Sequence, residues 1–566
     1  MLEIFVAWVY IFITSFGIGH LCIEALAKLS GIAHQKQSPV LYSVTGLVVI
    51  MILGGYLSLF MPMGLGINML ISVLSLGYLI LNRAKLAAQF SYKGPFTLLN
   101  ISKYVVMAAV LVTVLIKASG PITTPDSAGY HLPFIKWIEH YKAVKGIANV
   151  HSRFGFNYQY HILCAIYGMS FMGIPTIHAL NGYLMVALVG YMITGMSIFK
   201  TGTLSKYDAA CLIAVLFVFN MSNASSSFSP DFPTTAMIMF AILLFLQRAD
   251  KGAGSGFDTD AIMIFIITIG ATLFKISSLP IVLLNLYYAW PAIRRQQWKF
   301  IAVLFAAGIL AAVPYMVRNY IISGYLVYPL YAIDIFNVPW KLPYDKVVYE
   351  KEMVKLYALG LQYGQHLTFS ETISSWWQYL KASNRVYVYI MGLLGVCVVT
   401  NIFWILCLVA KGKIKEHANY IGIFALLYLC LIYWWLNAPD PRFGNGYIIS
   451  FMAITISISF YTIIKRLQAA MYYGVMLLLV VLAAGMIKGQ SLSKVDNNFK
   501  KVSYNFISQE PYPVAELQES HTEAGQVFYR APKDGFCWDA AQPCMFYNDT
   551  CKYMGQQVDE GFAPVK

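Results

Sequence analysis

Apolar residues fill long runs of this chain, and short polar or basic segments separate the runs. Clear runs cover residues 104–116, 232–246, 301–317 and 386–409. A helix needs roughly 20 mostly apolar residues to cross a bilayer, so these runs predict membrane-spanning helices. The first run, 2–22, has no basic leader and no small-residue cleavage site, and we interpret it as a retained helix.

The composition supports a membrane protein over a soluble one. Of the 566 residues 58% are hydrophobic and 12% are charged, whereas a soluble chain has about 25% charged residues. The net charge of +14 comes from Lys and Arg in short loops, which is the positive-inside pattern. It therefore requires no nucleic-acid partner. No zinc spacing, P-loop or nucleotide-binding glycine motif occurs.

The basic loops also predict the topology. Lys and Arg at 83–85, 200–206, 248–251, 294–299, 411–415 and 465–466 are expected in the cytoplasm. A single span between 251 and 294 would place two of these loops on opposite sides, so we predict two short helices broken around Lys275 and Pro280. The prediction is an all-α polytopic protein with about 14 spanning helices and both termini outside. The segment 158–173 is ambiguous: it is a re-entrant or interfacial helix, or, if it spans, the parity of the crossings must be recovered elsewhere.

This topology places most polar residues of interest on the outer face. We predict a transmembrane domain at 1–488, with large outer loops at 119–157 and 318–384, and a small extracytoplasmic C-terminal domain at 489–566. That last domain contains Cys537, Cys544 and Cys551, two of which could form a disulfide in an oxidising compartment. The sequence does not select the pair.

Asp126 is the strongest catalytic candidate. It lies where the run 104–116 gives way to an outer loop, and acids near the membrane are costly and usually functional. His131, Lys136, Arg153 and Asn157 share the loop and would supply cations and hydrogen bonds. The alternative is that Asp126 only caps a helix over 132–141, whose Phe134 and Trp137 predict an interfacial helix.

Other charged residues lie at predicted span ends, each with a structural alternative. Asp231 either binds substrate or caps a helix. Lys275 either holds a lipid phosphate or extends to the interface. Arg318 either binds phosphate or anchors a helix. In 440–442, Arg442 either grips a phosphate while Asp440 orients it, or the two form an internal ion pair. The pairs Trp376–Trp377 and Trp434–Trp435 could stack on sugars, but the sequence does not single them out.

Several outer-loop motifs, taken in order, resemble the GT-C superfamily of polytopic glycosyltransferases, and in particular a bacterial subgroup of it. The first is Asp126-Ser127-Ala128-Gly129-Tyr130-His131-Leu132-Pro133. The others are 153–157 (RFGFN), 229–231 (SPD), Arg318-Asn319 with 324–325 (GY) and 328–329 (YP), 439–443 (PDPRF), and 537–539 (CWD) with Cys544.

The resemblance implies transfer of a sugar from a polyprenyl-phosphate-type donor to a glycan, lipid or protein acceptor on the outer face of the bacterial cytoplasmic membrane. It implies inversion, with Asp126 as general base. We expect His131, Lys275, Arg318 and Arg442 to bind the donor phosphate, and Tyr130, Arg153, Asn157, Asp231 and Asp440 to bind substrate. Some members use a divalent metal, but the first outer loop has no Asp-x-Asp pair and no cofactor is assigned.

Two other functions fit the same composition. A flippase or transporter of lipid-linked saccharides would have paired repeats with broken helices, and only the predicted break at Lys275 suggests this. A glycan polymerase or ligase would transfer a saccharide block. The sequence identifies neither the sugar, nor the acceptor, nor the number of phosphates on the carrier.

Overall fold

The computed structural model describes residues 1–90, 97–122, 124–250, 257–365, 367–495, 506–522, 525–532, 535–545 and 551–565, and most of these are helical. The first ten helices are α1 (Leu2–Ser30), α2 (Pro39–Leu57), α3 (Leu65–Leu81), α4 (Arg83–Phe90), α5 (Leu98–Ala118), α6 (Leu132–His140), α7 (Tyr160–Tyr167), α8 (Ala179–Gly195), α9 (Ile198–Thr201) and α10 (Lys206–Asn220).

The remaining helices are α11 (Asp231–Asp250), α12 (Thr259–Phe274), α13 (Leu286–Arg294), α14 (Trp298–Ser323), α15 (Tyr344–Ala358), α16 (Phe369–Ser383), α17 (Arg385–Ala410), α18 (Ala418–Asn437), α19 (Pro441–Ser459) and α20 (Tyr461–Val495), which is broken at Gln468. A π-helical segment covers Ser127–His131 and 3-10 segments cover Ile147–Asn149, Ser152–Phe156, Ser170–Met172, Ser222–Ser226, Ile276–Asn285, Lys415–His417 and Val558–Glu560.

Ten of the described helices are long and apolar enough to cross a membrane, which makes this a polytopic membrane protein. All five apolar runs singled out in the sequence form such helices. The pair Pro441–Ser459 and Tyr461–Gln468, bent by 76°, raises the count to 11 if it is one span. Three apolar helices are shorter: Leu65–Leu81, Tyr160–Met172 and Thr259–Phe274. The expected count of about 14 is therefore not reached by length and apolarity alone.

The predicted break at Lys275 is present. α12 ends at Phe274 because Lys275 adopts an extended backbone conformation (φ −156°, ψ 121°). The 3-10 segment that follows includes Pro280 and packs back against α12. Asp231 at the start of α11 contacts Lys275 at the end of α12, while Arg248 and Asp258 contact each other at the opposite ends of these helices. α11 and α12 are thus antiparallel.

The first outer loop is more deeply packed than expected. Phe134 of α6 stacks on Phe154 with ring centroids 5.3 Å apart, and Trp137 contacts Phe562 of the C-terminal segment at 5.8 Å. The two aromatic side chains on which the prediction of an interfacial helix depends are therefore covered by α7 and the C-terminal segment, and the position of α6 relative to the membrane stays a prediction. In the ambiguous segment 158–173, α7 and the 3-10 segment Ser170–Met172 together form the short apolar stretch Tyr160–Met172, at most about 20 Å long, which is shorter than a membrane span.

Arg318 also lies elsewhere than expected. α14 continues to Ser323 and ends at Gly324, which has φ 81°, a backbone conformation that favours glycine. Arg318 is therefore inside the last turns of the helix and only 3% exposed. The second outer loop begins after it. The polar residues Arg318 and Asn319 do not end the helix, because residues of the adjoining loops bury their side chains.

The C-terminal segment forms small sheets. Strands β1 (Gln518–His521) and β2 (Val527–Arg530) are antiparallel, and β2 pairs in parallel with β3 (Cys544–Met545). β4 (Cys551–Tyr553) pairs antiparallel with β5 (Phe562–Pro564). A disulfide joins Cys537 to Cys544, which answers the question of pairing that the sequence left open. α20 continues to Val495, past the predicted start of this segment at 489.

The C-terminal segment binds along the first outer loop. The Trp538 N–H donates to the Ala128 carbonyl (3.2 Å), and the Phe562 N–H donates to the Lys145 carbonyl (2.9 Å). Lys136 Nζ lies 2.9 Å from Asp539 Oδ1. The loop that carries Asp126 is therefore held between the helical bundle and the last part of the chain.

Candidate functional site

The carboxylate of Asp126 lies between two arginines. Its Oδ1 is 3.4 Å from Nη1 of Arg153, and its Oδ2 is 3.7 Å from Nη1 of Arg442. The three side chains are 34–41% exposed, so solvent reaches all of them. Both distances exceed the roughly 2.7–2.9 Å of a tight charge-assisted hydrogen bond. The Nη1 atom of each arginine can therefore turn towards a ligand by giving up only this loose contact with Asp126.

Asp126 does not act as a helix cap. It precedes the π-helical segment Ser127–His131, but its side chain makes no capping hydrogen bond there. The position of Asp126 is fixed instead by Ser127, whose hydroxyl lies 3.0 Å from the Ser227 hydroxyl and accepts the Phe228 N–H at 3.2 Å. The carboxylate is thereby left to face the arginines.

Arg442 is held by its neighbour Asp440. The Asp440 side chain caps α19 by accepting the Arg442 N–H (2.9 Å), and it also accepts from Arg442 Nε (3.1 Å) and lies 3.0 Å from Nη2. The internal ion pair and the oriented arginine, which the sequence offered as alternatives, are therefore the same structure. Nη1 is the guanidinium nitrogen directed at Asp126.

Two tryptophans hold the backbone of this turn. The Trp376 indole N–H donates to the Pro439 carbonyl, and the Trp434 indole N–H donates to the Asp440 carbonyl, each at 2.8 Å. Trp376 also contacts the rings of Trp377 and Trp435 at 6.2 and 4.9 Å. These indoles pack against each other, and two of them fix successive carbonyls beside Arg442.

Asp231 and Lys275 form a second ion pair at the same end of the bundle. Lys275 Nζ is 2.5 Å from Asp231 Oδ1 and 3.4 Å from the centroid of the Phe443 ring. The Lys275 side chain is 11% exposed, so it does not extend to the interface. Since Phe443 follows Arg442 in α19, this pair adjoins the Asp126 cluster.

Arg153 connects Asp126 with the second outer loop. Its Nε is 3.7 Å from Glu350 Oε2, and its guanidinium lies 5.0 Å from the centroid of the Tyr130 ring. Glu350 also accepts from the Ser152 hydroxyl at 2.5 Å. The sequence did not suggest Glu350, because it is one of several charged residues in α15 and its partner is 198 residues away.

His131 lies below the cluster and is 1% exposed. Its ring contacts those of His161 (4.9 Å) and Tyr158 (6.0 Å), and its Nδ1 makes no hydrogen bond within the described part of the chain. Burial, followed by the charge of nearby groups, lowers the pKa of His131 well below its ordinary value. A neutral imidazole can donate one hydrogen bond but adds no positive charge to a phosphate site.

Arg318 and Asn157 interact with each other away from this cluster. Arg318 Nε donates to Asn157 Oδ1 (3.1 Å) and Nη1 donates to the Ser58 hydroxyl (2.9 Å). Asn157 has a left-handed backbone (φ 47°, ψ 44°) directly after the 3-10 segment that carries Arg153. This geometry makes Arg318 a positioning residue for the loop.

The structure therefore brings together most of the residues that the sequence predicted as a site. Asp126, Tyr130, Arg153, Asp231, Lys275, Asp440 and Arg442 are linked by the contacts above, with His131 beneath them. The cations already face carboxylates, so a bound phosphate would have to replace one of these contacts. Within the described ranges, no group of three or more His, Cys, Asp or Glu side chains is arranged to hold a metal ion.

Comparison with known proteins identifies a family but no characterised relative. No curated protein and no solved structure matches the chain. A family model described as a domain of unknown function, DUF8201, matches residues 1–449. That range includes every predicted site residue but not the C-terminal segment. The match covers more than half of the chain, and the chain therefore belongs to the DUF8201 family.

Proposed function

We propose that this protein transfers a sugar from a polyprenyl-phosphate-type lipid to a glycan, lipid or protein acceptor, with Asp126 as general base. The observation that carries the proposal is the solvent-reachable Asp126 carboxylate between Arg153 and Arg442. A base and cations side by side suit a reaction in which one oxygen loses a proton while another gains negative charge.

In this mechanism Asp126 removes the proton from the acceptor hydroxyl as that oxygen bonds to the anomeric carbon of the sugar. The bond from the anomeric carbon to the phosphate oxygen breaks in the same displacement, so the configuration inverts. The departing phosphate takes the electron pair. Arg442 and Arg153 bind it as they turn away from Asp126, which becomes neutral on accepting the proton. Lys275, which is paired with Asp231, adds a third positive charge nearby.

We also propose that the site faces outward from the bacterial cytoplasmic membrane. The disulfide Cys537–Cys544 lies in the segment that binds the Asp126 loop, and disulfides persist in oxidising compartments. Arg248 lies near the end of α11 and contacts Asp258 at the start of α12. This end of the helix pair is opposite to Asp231 and Lys275, and a basic residue there agrees with the positive-inside rule for the cytoplasmic side. The C-terminal segment would then be extracytoplasmic.

The same assignment favours a GT-C-like arrangement with 14 crossings. The helices that would cross are α1, α2, α3, α5, α8, α10, α11, α12, the segment 276–294, α14, α17, α18, α19 and α20. This count includes three short helices, α3, α10 and α12, and leaves out α7. Both termini would lie on the outer side.

The direct test is turnover of purified protein with polyprenyl-phosphate sugars and candidate acceptors. Asp126→Asn keeps the shape of the side chain but removes its basicity, and we expect turnover to fall by about 10²–10⁴-fold, the usual contribution of a general base. Asp334→Asn is the matched control, since Asp334 is an exposed acid of the second outer loop that pairs with Lys341. Full turnover by Asp126→Asn would exclude the base assignment.

A transporter of lipid-linked saccharides is the second candidate, because α12 breaks at Lys275 within an apolar stretch. Broken helices beside a charged site are a feature of transporters. Vesicles that contain the protein would then move a lipid-linked saccharide across the bilayer without forming a covalent product. Product of one added sugar supports the transferase, and transfer of a saccharide block would indicate a polymerase or ligase.

A further inference from the structure

A pocket lies between the first outer loop and the C-terminal segment. It has a volume of about 540 Å³, within the roughly 300–1,000 Å³ range of small-molecule sites. Tyr141, directly after α6, forms one side of it, and β2 with the residues around the 3-10 segment Val558–Glu560 forms the other. None of its lining residues belongs to the Asp126 cluster.

Three tyrosines provide the flat surfaces of this pocket. Tyr553 is fixed by a hydrogen bond from its hydroxyl to the Val527 carbonyl (2.7 Å), and Tyr141 packs against Trp137 with ring centroids 5.1 Å apart. Tyr529 belongs to β2, where it pairs with Glu519 on one side. Aromatic rings with a polar end bind ligands that combine apolar faces with polar edges. The C–H faces of a sugar ring have this character.

Four glutamines provide the polar surfaces. The Gln526 amide donates to the Gly555 carbonyl, and Gln542 donates to the Ala540 carbonyl (3.2 Å) while accepting the Cys544 N–H (3.1 Å). The orientation of the Gln526 and Gln542 amides is therefore set before any ligand binds. An amide both donates and accepts hydrogen bonds, as does a hydroxyl, so these side chains suit a ligand that is rich in hydroxyl groups.

The charge of the pocket excludes anionic ligands. Its lining contains no Lys, Arg or His among the described residues, and it contains the carboxylate of Asp559. Lys142 is 4.0 Å from Asp559, and both side chains are more than 40% exposed. A phosphate, sulfate or uronic acid would meet a negative group with only a weakly paired cation nearby. A neutral saccharide would not.

The pocket lies at the far end of α6 from Asp126. Helical residues 127–140 separate the two places, which is about 20 Å along the helix axis. The C-terminal segment follows the same path, with Trp538 bonded to Ala128 and Asp539 paired with Lys136. An oligosaccharide is long enough to reach both places, whereas a single sugar is not.

We propose that this pocket binds a neutral saccharide chain. The role of that chain as the acceptor of the reaction rests on the proposed function, but its binding does not. The pocket would hold the part of the chain remote from the reacting hydroxyl, and so provide affinity without taking part in bond formation.

The test is saturation-transfer NMR and calorimetry on the full-length protein in phospholipid nanodiscs, which avoid sugar-based detergents. The probes are maltotriose, cellotriose and chitotriose, with trigalacturonic acid as the anionic comparison. We expect at least one neutral trisaccharide to bind and the anionic one to bind at least about tenfold more weakly, a difference of roughly 1.4 kcal/mol. Absence of binding by all three neutral probes, or preference for the anionic one, would overturn the proposal.

Two variants locate the binding. Gln556 is exposed at the pocket, so Gln556→Trp should fill the pocket without removing a core contact and weaken binding by about tenfold or more. Gln518→Trp, at an exposed glutamine of β1 outside the pocket, should bind like the unmodified protein. Unchanged binding by Gln556→Trp would place the saccharide elsewhere. Asp126→Asn should bind the neutral trisaccharide as the unmodified protein does, because Asp126 does not line the pocket. The turnover assay therefore tests the transferase proposal, and the binding assay tests the saccharide pocket separately.

Discussion

At the scale of single residues, the clearest result is that charged side chains at this site have partners far away in the sequence. Asp126 contacts Arg153 and Arg442, and Arg153 also contacts Glu350. The sequence indicated which charged residues lie at span ends. It indicated the local pair Asp440–Arg442, but not the distant pairs, because local patterns carry no information about partners separated by hundreds of residues.

Arg442 is predicted to depend on its forked geometry. It contacts Asp440 through Nε and Nη2 while Nη1 faces Asp126, and a lysine cannot reproduce this arrangement. We expect Arg442→Lys to reduce turnover by about 10–100-fold, since a hydrogen bond to a charged group contributes roughly 1.5–3 kcal/mol. Arg385→Lys, at an exposed arginine where α17 begins, is the matched control. Equal turnover by the two variants would contradict the assigned role.

Glu139 in α6 is predicted to make stability depend on pH. Burial raises its pKa from the ordinary 4.5 to about 7, although Lys136 and Thr176 oppose the shift. The folded protein therefore binds a proton more tightly than the unfolded chain, and stability is lost as pH rises from about 4.5 to 7. On the order of 3 kcal/mol is involved.

The measurement is the thermal unfolding midpoint of the wild type and Glu139→Gln in nanodiscs between pH 5 and 8. The wild-type midpoint should fall over this range, and the variant, which cannot ionise, should lose that part of the decline. Parallel curves for the two proteins would show that Glu139 titrates normally.

At the scale of elements, α16 and α18 fix the turn that presents Arg442. Trp376 comes from α16 and Trp434 from α18, and their N–H groups bind adjacent carbonyls. The sequence drew attention to these tryptophans only as general candidates for stacking. Nothing in the spacing of Trp376 and Trp434 indicates that they meet, because the whole of α17 lies between their helices.

Substitution by phenylalanine tests this arrangement. Trp376→Phe keeps an aromatic ring but leaves the buried Pro439 carbonyl without its donor, which costs about 1–3 kcal/mol. Trp434→Phe removes one of two donors to the Asp440 carbonyl, which also accepts the Phe443 N–H, so its effect should be smaller than that of Trp376→Phe. We expect a lower unfolding midpoint and reduced turnover. In Trp377→Phe and Trp435→Phe we expect smaller effects, since these indoles make ring contacts but no hydrogen bond among the described residues. Equal effects from all four would assign them to packing alone.

At the scale of the whole molecule, the apolar runs predicted most of the helices, and the positions of the basic loops predicted the break at Lys275. These sequence patterns were less informative where contacts between distant segments determine the position of a residue or helix. Arg318 lies inside α14 since Asn157 and Ser58 satisfy its guanidinium. α6 is covered by a segment more than 400 residues away, as the contact of Trp137 with Phe562 shows.

The proposed orientation predicts which loops reagents reach from outside. Single cysteines introduced as Tyr363→Cys, in the second outer loop, and Lys413→Cys, at the opposite end of the bundle, can be labelled with a membrane-impermeant maleimide. The first should react in intact cells and the second only after permeabilisation. The reverse pattern would place Asp126 in the cytosol and exclude an outward-facing site.

The contact between the first outer loop and the C-terminal segment has a consequence for biosynthesis. Asn149 and Phe562 are 413 residues apart, so at about 5–20 residues per second the ribosome needs on the order of 20–80 s to make the second after the first. Throughout that interval Trp137 has no Phe562 to cover it, and Ala128 has no Trp538. In a nascent chain the first outer loop therefore lacks these C-terminal contacts, and a prematurely terminated chain would enter the membrane without them.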